Sequence, residues 1–244
     1  MLNCFICDAS YEGSNLIERP YPKGAITKGP NKILDCPTCN VGRAEPFPSE
    51  KELENLVDWS DFWPNKEIKK IRYENYPSAA GLGLIRLNLV LNKLSGDLQN
   101  IRVLDVGAGQ GFFGIEAAKK LKNRLSQYTV VEFDPKMREG IAEAWDHYDL
   151  TGQYSCFEKL EDVNEMFNVI VLSHILEHVR DPRDFITKCL KYLKKDGVIF
   201  IDVPHTDYRF KSNTYLHLYF FTPTILSELV NSFKGVTVLQ SKSW

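Results

Sequence analysis

The chain has 244 residues, enough for one α/β domain of ordinary size plus a small appendage. Hydrophobic residues make up 43% and charged residues 25%, a globular profile that excludes a disordered chain. The 30 Lys and Arg against 32 Asp and Glu leave a net charge of −2, without the basic excess of a protein that grips a phosphate backbone, so no nucleic-acid partner is expected.

No apolar run approaches the ~18 residues of a membrane span, so no membrane insertion is expected. The opening Met1-Leu2-Asn3-Cys4-Phe5 lacks the basic-then-apolar layout of a secretion signal. The expectation is a cytoplasmic protein, a compartment where structural disulfides are rare.

Residues 1–48 are rich in Pro, Gly and Cys and show little periodicity, which predicts a loop-dominated module stapled by something other than a large core. Residues 41–48, with Gly42, Pro46 and Pro48, read as a connector. Ser49 and Glu52 form a capping box that opens a short helix to about residue 57. A second helix is predicted over 79–94. Residues 49–95 are thus a helical linker, expected to act as a lid over cofactor and substrate.

From residue 96 short apolar runs alternate with amphipathic helices. Strands are predicted at 101–106, 128–133, 154–157, 167–172, 198–203 and 236–239. Helices are predicted at 112–121, after Asp134-Pro135, after Asp181-Pro182 with an end at Gly197, and after Thr222-Pro223. This alternation implies a doubly wound, mainly parallel sheet of six or seven strands covered on both faces, a Rossmann-like α/β domain over 96–244. After Leu239 only Gln-Ser-Lys-Ser-Trp follows, so a seventh strand is either absent or lies beyond the end of this sequence.

Cys4-x-x-Cys7 and Cys36-x-x-Cys39 are two knuckles that can wrap one ion with four thiolates at tetrahedral corners. Zinc suits such a set, and a closed four-thiolate site leaves no open position, so its role would be structural. Two disulfides or free thiols are the alternatives. Cys156 and Cys189 lie on apolar elements and read as core residues.

In the stretch Val103-Leu104-Asp105-Val106-Gly107-Ala108-Gly109-Gln110-Gly111 a strand runs into a glycine turn that opens a helix. Glycines allow close backbone approach to a ligand, and amides at the helix start can face a carboxylate or phosphate. Glu132 ends the next strand, about 20 residues on, where a carboxylate can accept both hydroxyls of a ribose. Gly109-x-Gly111-x-x-Gly114 also satisfies a dinucleotide pattern, so NAD and S-adenosylmethionine both remain open from these residues alone.

The longer pattern resembles the class I S-adenosylmethionine-dependent methyltransferases, whose first motif reads (V/I)LD(V/I)GxGxG. The run from Phe167 to Val179, with Leu176-Glu177-His178, resembles that family's fourth strand and its LEH element. Asp181-Pro182 and Leu193-Lys194-Lys195-Asp196-Gly197 resemble two later elements. Asn168 stands where the family has Asp, at a position that tends to be structural. The resemblance implies that Gly107, Ala108, Gly109 and Gly111 line the methionine part of the cofactor, with Asp105 behind them and Phe112 a further cofactor-binding residue. It implies that Glu132 holds the ribose, that Phe133, Glu158 and Leu160 flank the adenine, and that Ser173 and His174 face the reaction chamber.

His205 follows a strand's carboxyl end, where open α/β sheets place ligands. The segment Tyr215 to Thr222 is similar to the "HEHlsYFs" segment of zinc-containing sugar C-methyltransferases, with His217 at the second histidine. Tyr215 and Leu216 replace that family's His and Glu. The resemblance makes His217 a candidate general base, with His174 and His205 as further catalytic candidates; a histidine packed among aromatics is the other reading. The knuckles followed by Phe47-Pro48-Ser49 are similar to the lead-in of methyltransferases of bacterial surface-polysaccharide synthesis. That implies a small, sugar-linked acceptor, O-methylated rather than C-methylated. Trp59, Phe62, Trp63, Tyr73 and Tyr76 are candidates to close over the cofactor or stack on a sugar, with interdomain packing as the alternative. A sugar C-methyltransferase, a zinc-ribbon RNA methyltransferase and a non-catalytic cofactor-binding module are the rival readings.

Overall fold

The structure, a computed structural model, describes residues 3–11, 17–20, 32–56, 70–95, 99–205 and 217–243. In chain order the elements are β1 (Ile17–Pro20), β2 (Lys32–Asp35), β3 (Gly42–Glu45), α1 (Glu50–Leu56), α2 (Pro77–Leu91) and β4 (Ile101–Val106). There follow α3 (Phe112–Leu121), β5 (Leu125–Val131), α4 (Pro135–His147), β6 (Gln153–Phe157), β7 (Phe167–Ser173), α5 (Pro182–Leu190), β8 (Leu193–Asp202), β9 (Tyr219–Phe220) and α6 (Pro223–Asn231). Two compact units result. One is Trp63–Ser173 with Lys188–Asp202; the other is Met1–Phe62 with His174–Thr187 and Val203–Trp244.

The first of these units holds a five-stranded sheet, order β6-β5-β4-β7-β8, with every neighbouring pair parallel. Its strands are almost continuously apolar because both faces are covered, as a parallel sheet requires. Val103, Val130, Val169 and Val171 pack with Leu87, Val90, Ile115 and Ile141 from the flanking helices and with Ile71 from the segment before α2. This is the Rossmann-like α/β architecture expected from the alternating pattern. Helix α4 starts as predicted, with Asp134 Oδ1 accepting the Lys136 amide at 2.8 Å and Pro135 at the first position.

Two predicted boundaries are corrected. Helix α5 ends at Leu190, not at Gly197. A tight turn brings the Tyr192 carbonyl to the Phe167 amide at 2.8 Å and starts β8 at once. Pairing with β7 then slips from Leu193 to Val198, so residues 194–197 bulge out. A β-carbon on Gly197 would lie 2.8 Å from Leu193 and 3.0 Å from the Asn168 carbonyl, so this glycine serves a close approach inside a strand. The second correction concerns 236–239, which form no strand. Gly235 at φ 79° turns the chain, and Leu239 is 58% exposed.

The other unit holds an antiparallel sheet of order β1-β2-β3-β9. Strand β9 pairs with β3, and the Ala44 amide donates to the Leu218 carbonyl at 2.9 Å. Ile33, Ala44 and Phe220 form a small buried cluster beneath it. A two-residue strand carries too short a pattern to read from sequence. The capping box is present as predicted: the Ser49 amide donates to Glu52 Oε2 at 2.7 Å, and the Glu52 amide donates to Ser49 Oγ at 3.3 Å. Trp59, Phe62 and Trp63 lie outside the described residues, while Tyr73 and Tyr76 pack against Phe112 in the parallel-sheet unit. Among the described residues no helix is long and apolar enough to cross a membrane.

Candidate functional site

The glycine turn sits at the carboxyl end of β4, between that strand and α3. Gly107, Gly109 and Gly111 all take positive φ, at 71°, 55° and 66°. A residue with a β-carbon would be strained at each. A β-carbon on Gly109 would meet nothing within 4 Å, so the turn presents an open backbone cradle. The Gly107 amide is held by the Val131 carbonyl at 2.7 Å, which ties the turn to β5.

At the end of β5, Glu132 completes the cradle. Its Oε2 accepts the Gly109 amide at 2.8 Å and its Oε1 accepts the Asp134 amide at 3.0 Å. Burial pushes this carboxyl above its ordinary range, and the two amides partly offset that. Each oxygen keeps a second lone pair, so the carboxylate can still receive a pair of hydroxyls. Behind the turn, Asp105 is fully buried and accepts the Tyr128 hydroxyl at 2.8 Å. Burial raises its pKa to about 7, against the opposing pull of Tyr128 and of the Arg86 charge. The Tyr128 ring fits only because residue 114 is glycine, where a β-carbon would lie 2.0 Å from it.

The other residues predicted on this side fall in several settings. Ala108 is half-buried in the turn, and Phe112 is buried in the core beneath it. Phe133 is 63% exposed, an open aromatic face next to Glu132. Glu158 pairs with Arg138 at 3.7 Å, and Leu160 is buried. Ser173 is half-buried at the last position of β7, in register with Asp202 of β8. Asn168 fills the structural role expected of it, accepting the Arg102 amide at 3.0 Å and Lys194 at 3.1 Å. Arg86 escaped the sequence reading. It donates to Asp202 at 2.8 Å through Nε and acts on Asp105 electrostatically, so it stands as a cation near the cradle.

In the other unit, the chain leaves Ser173 through His174, whose φ of 54° is the left-handed conformation. Such a residue carries about 1–3 kcal/mol of strain and marks a turn held by its surroundings. Glu177 follows, only 1% exposed. Its Oε1 lies 3.5 Å from His174 Nδ1, 3.7 Å from His178 Nε2 and 4.0 Å from His217 Nε2. The His178 and His217 rings meet edge to face at 4.8 Å. The two chain segments are pinned together, because the Glu177 carbonyl accepts the Leu218 amide at 2.7 Å. The structure thus joins His217 and His174, both predicted, with Glu177 and His178, which were read only as part of a motif. His205 is exposed, with its backbone bridged to Phe221, and is not one of the residues gathered round Glu177.

The four N-terminal cysteines also come together. Cys4 and Cys39 sulfurs lie 3.7 Å apart, and those of Cys7 and Cys36 lie 3.6 Å apart. Four sulfurs about 2.3 Å from a central ion at tetrahedral corners would be about 3.8 Å apart. The two knuckles repeat one geometry. Asp8 and Asn40 take φ of 62° and 61°, and their amides donate to the Cys4 and Cys36 carbonyls at 2.8 and 2.9 Å. The contact between Cys4 and Cys39 works in opposite directions on the two thiols, lowering Cys4 and raising Cys39. The donor set and spacing fit zinc.

A family model described as a methyltransferase domain matches residues 85–235. A ubiquinone biosynthesis O-methyltransferase of Rhizobium leguminosarum bv. trifolii is 31% identical over 115 residues, 45% of this chain and 42% of that protein. A mitochondrial ubiquinone biosynthesis O-methyltransferase of Dictyostelium discoideum is 28% identical over 160 residues, 58% of this chain and 49% of that protein. The chain spans about half the length of these curated relatives. Among solved structures, the plantazolicin methyltransferase in complex with SAH aligns with a TM-score of 0.53 at 19% identity, covering 74% of this chain and 75% of that one. Coclaurine N-methyltransferase bound to N-methylheliamine and SAH aligns with a TM-score of 0.50 at 18% identity, over 60% of this chain and 47% of that one. The two structural matches bear on the fold.

Proposed function

The chain belongs to the methyltransferase-domain family, and from that premise we propose that it is an S-adenosylmethionine-dependent O-methyltransferase of a small molecule. The observation that carries this reading is the link from Gly109 to Glu132 across an open glycine turn. S-adenosylmethionine, when bound, supplies a methyl group on a sulfonium that an acceptor oxygen takes in line, releasing a neutral thioether. Gly107, Ala108, Gly109 and Gly111 give its methionine end a backbone surface, with Asp105 buried behind and Arg86 a candidate for its carboxylate. Glu132 receives the ribose hydroxyls, and the exposed ring of Phe133 covers one face of the adenine, with Glu158 and Leu160 at its edge. Ser173 and His174 lie where the chain leaves the sheet, and with exposed His205 they are the secondary acceptor-side candidates.

His217 is the proposed general base. It takes the proton from the acceptor hydroxyl as the new oxygen–carbon bond forms, a role worth ~10²–10⁴ in rate. The oxygen acceptor draws support from the O-methyltransferase names of the relatives. The sugar-linked acceptor rests on the resemblance of the cysteine knuckles and the 215–222 segment to sugar methyltransferases. The relatives' ubiquinone-biosynthesis names favour a ring hydroxyl as the second reading. Zinc at Cys4, Cys7, Cys36 and Cys39 is proposed as structural, because all four positions round the ion are filled by thiolates.

The test is transfer of labelled methyl from S-adenosylmethionine to two acceptor panels, nucleotide-linked sugars and dihydroxybenzenes, with calorimetry against S-adenosylmethionine and NAD. Binding of S-adenosylmethionine and label on a sugar hydroxyl are expected. Binding of NAD alone would refute the methyltransferase reading, and label only on the aromatic ring would replace the sugar. His217→Ala should lower turnover at least about ten-fold with cofactor binding intact; full turnover would remove His217 as the base.

A further inference from the structure

A buried carboxylate is unstable unless something answers its charge. Glu177 is 1% exposed, and neither of its carboxylate oxygens makes a hydrogen bond among the described residues. What faces it is three imidazoles, from His174, His178 and His217, at 3.5, 3.7 and 4.0 Å from one oxygen. These are the titratable groups that act on it, and together they outweigh the upward push of burial and hold the carboxyl below its usual range. The group is built rather than incidental. Leu218 and Tyr219 amides both point at the Glu177 carbonyl, at 2.7 and 3.4 Å, so the loop after β7 and the segment of His217 are locked in register.

We propose that Glu177 is the positioning residue of the proposed base: its carboxylate lies 4.0 Å from Nε2 of His217, favours the proton on that nitrogen, and so leaves the buried Nδ1 as the basic one. When Nδ1 takes the acceptor proton, the imidazolium that results lies beside a fixed anion. His178 packs edge to face on His217 and holds the ring plane. No proton moves to Glu177, which stays a carboxylate throughout. The histidine motif pointed to a base; the buried acid supplies its tautomer and its charge balance, as an orienting carboxylate does in hydrolase triads.

This inference rests on His217 acting as base, and the experiment separates the two. Glu177→Gln keeps the shape and removes the charge. In the full-length protein it should retain cofactor binding and KM, lose roughly ten-fold or more in kcat, and move the acid limb of the kcat pH profile to lower pH. Glu177→Asp should restore part of the rate. Nitrogen-15 spectra should find His217 protonated at Nε2 in the parent and mixed in Glu177→Gln. If His217→Ala is inactive while Glu177→Gln matches the parent in rate and pH profile, the positioning role is wrong and the base survives. Should His217→Ala be fully active, the base reading falls and this inference with it. A second tightly held divalent ion per chain, lost in both His178→Ala and Glu177→Gln, would overturn the inference by making the cluster a metal site.

Discussion

Asp105 and Tyr128 form a buried pair directly behind the glycine turn, and their chemistry sets a pH dependence. The folded Asp105 titrates at about 7, against about 3.8 for an unperturbed aspartate. Between those values the folded protein holds a proton that the unfolded chain has lost. The stabilisation is therefore complete below pH ~4, declines as pH rises, and is gone once pH passes the folded value of about 7. Its size is on the order of a few kcal/mol. Asp105→Asn mimics the protonated form, and its thermal midpoint should fall less steeply than the parent's between pH 4 and 7. Identical slopes would show that Asp105 is already ionised in the folded state. At the same scale, Glu132 was legible as an acid at a strand end. Its link to Gly109 was not, because it depends on where two turns of separate chain segments meet.

Among the elements, β3 illustrates what a pattern can conceal. Gly42 reads from sequence as a connector glycine, yet it is the first residue of a strand and pairs with Phe220, far along the chain. A β-carbon there would lie 2.9 Å from Ile33 and 3.1 Å from the Phe220 β-carbon. Overpacking of this kind costs about 1–3 kcal/mol. Gly42→Ala should lower the thermal midpoint measurably, whereas Gly81→Ala, on a helix with nothing within 4 Å of the added carbon, should not. Equal midpoints for both variants would refute the close approach of β3 and β9. The helices needed no such partner to be found. Thr222 caps α6 by accepting the Ile225 amide at 3.3 Å, and Thr-Pro followed by apolar residues at helical spacing announces that arrangement locally.

At the level of the whole molecule, the two units have different sources of stability. The parallel sheet buries a broad apolar core on both faces. The sheet of β1, β2, β3 and β9 has strands of four residues or fewer, and among the described residues the buried cluster of Ile33, Ala44 and Phe220 is small beside the other unit's core. A sheet that small needs a staple. Near-stoichiometric zinc is expected in the purified protein. Stripping it with a strong chelator should free four thiols toward a thiol reagent and lower the thermal midpoint. Protein free of zinc, with all four thiols reactive from the start and the same midpoint, would exclude the structural metal.

The sequence by itself determined the strand–helix alternation behind the parallel sheet, the glycine turn, the acid after β5 and each of the two cysteine knuckles. Each of these is carried by residues close together in the chain, where periodicity, capping and turn chemistry act over a few positions. Only the tertiary structure decided that residues 218–220 complete the N-terminal sheet, that 236–239 are not a strand, and that Glu177 sits at the centre of three histidines. Those facts come from contacts across tens to hundreds of residues, where burial and backbone pairing choose among locally equivalent arrangements. A glutamate in an LEH element looks the same in sequence whether it meets water or is sealed beneath His217; its burial is what makes it a charge that the histidines must answer.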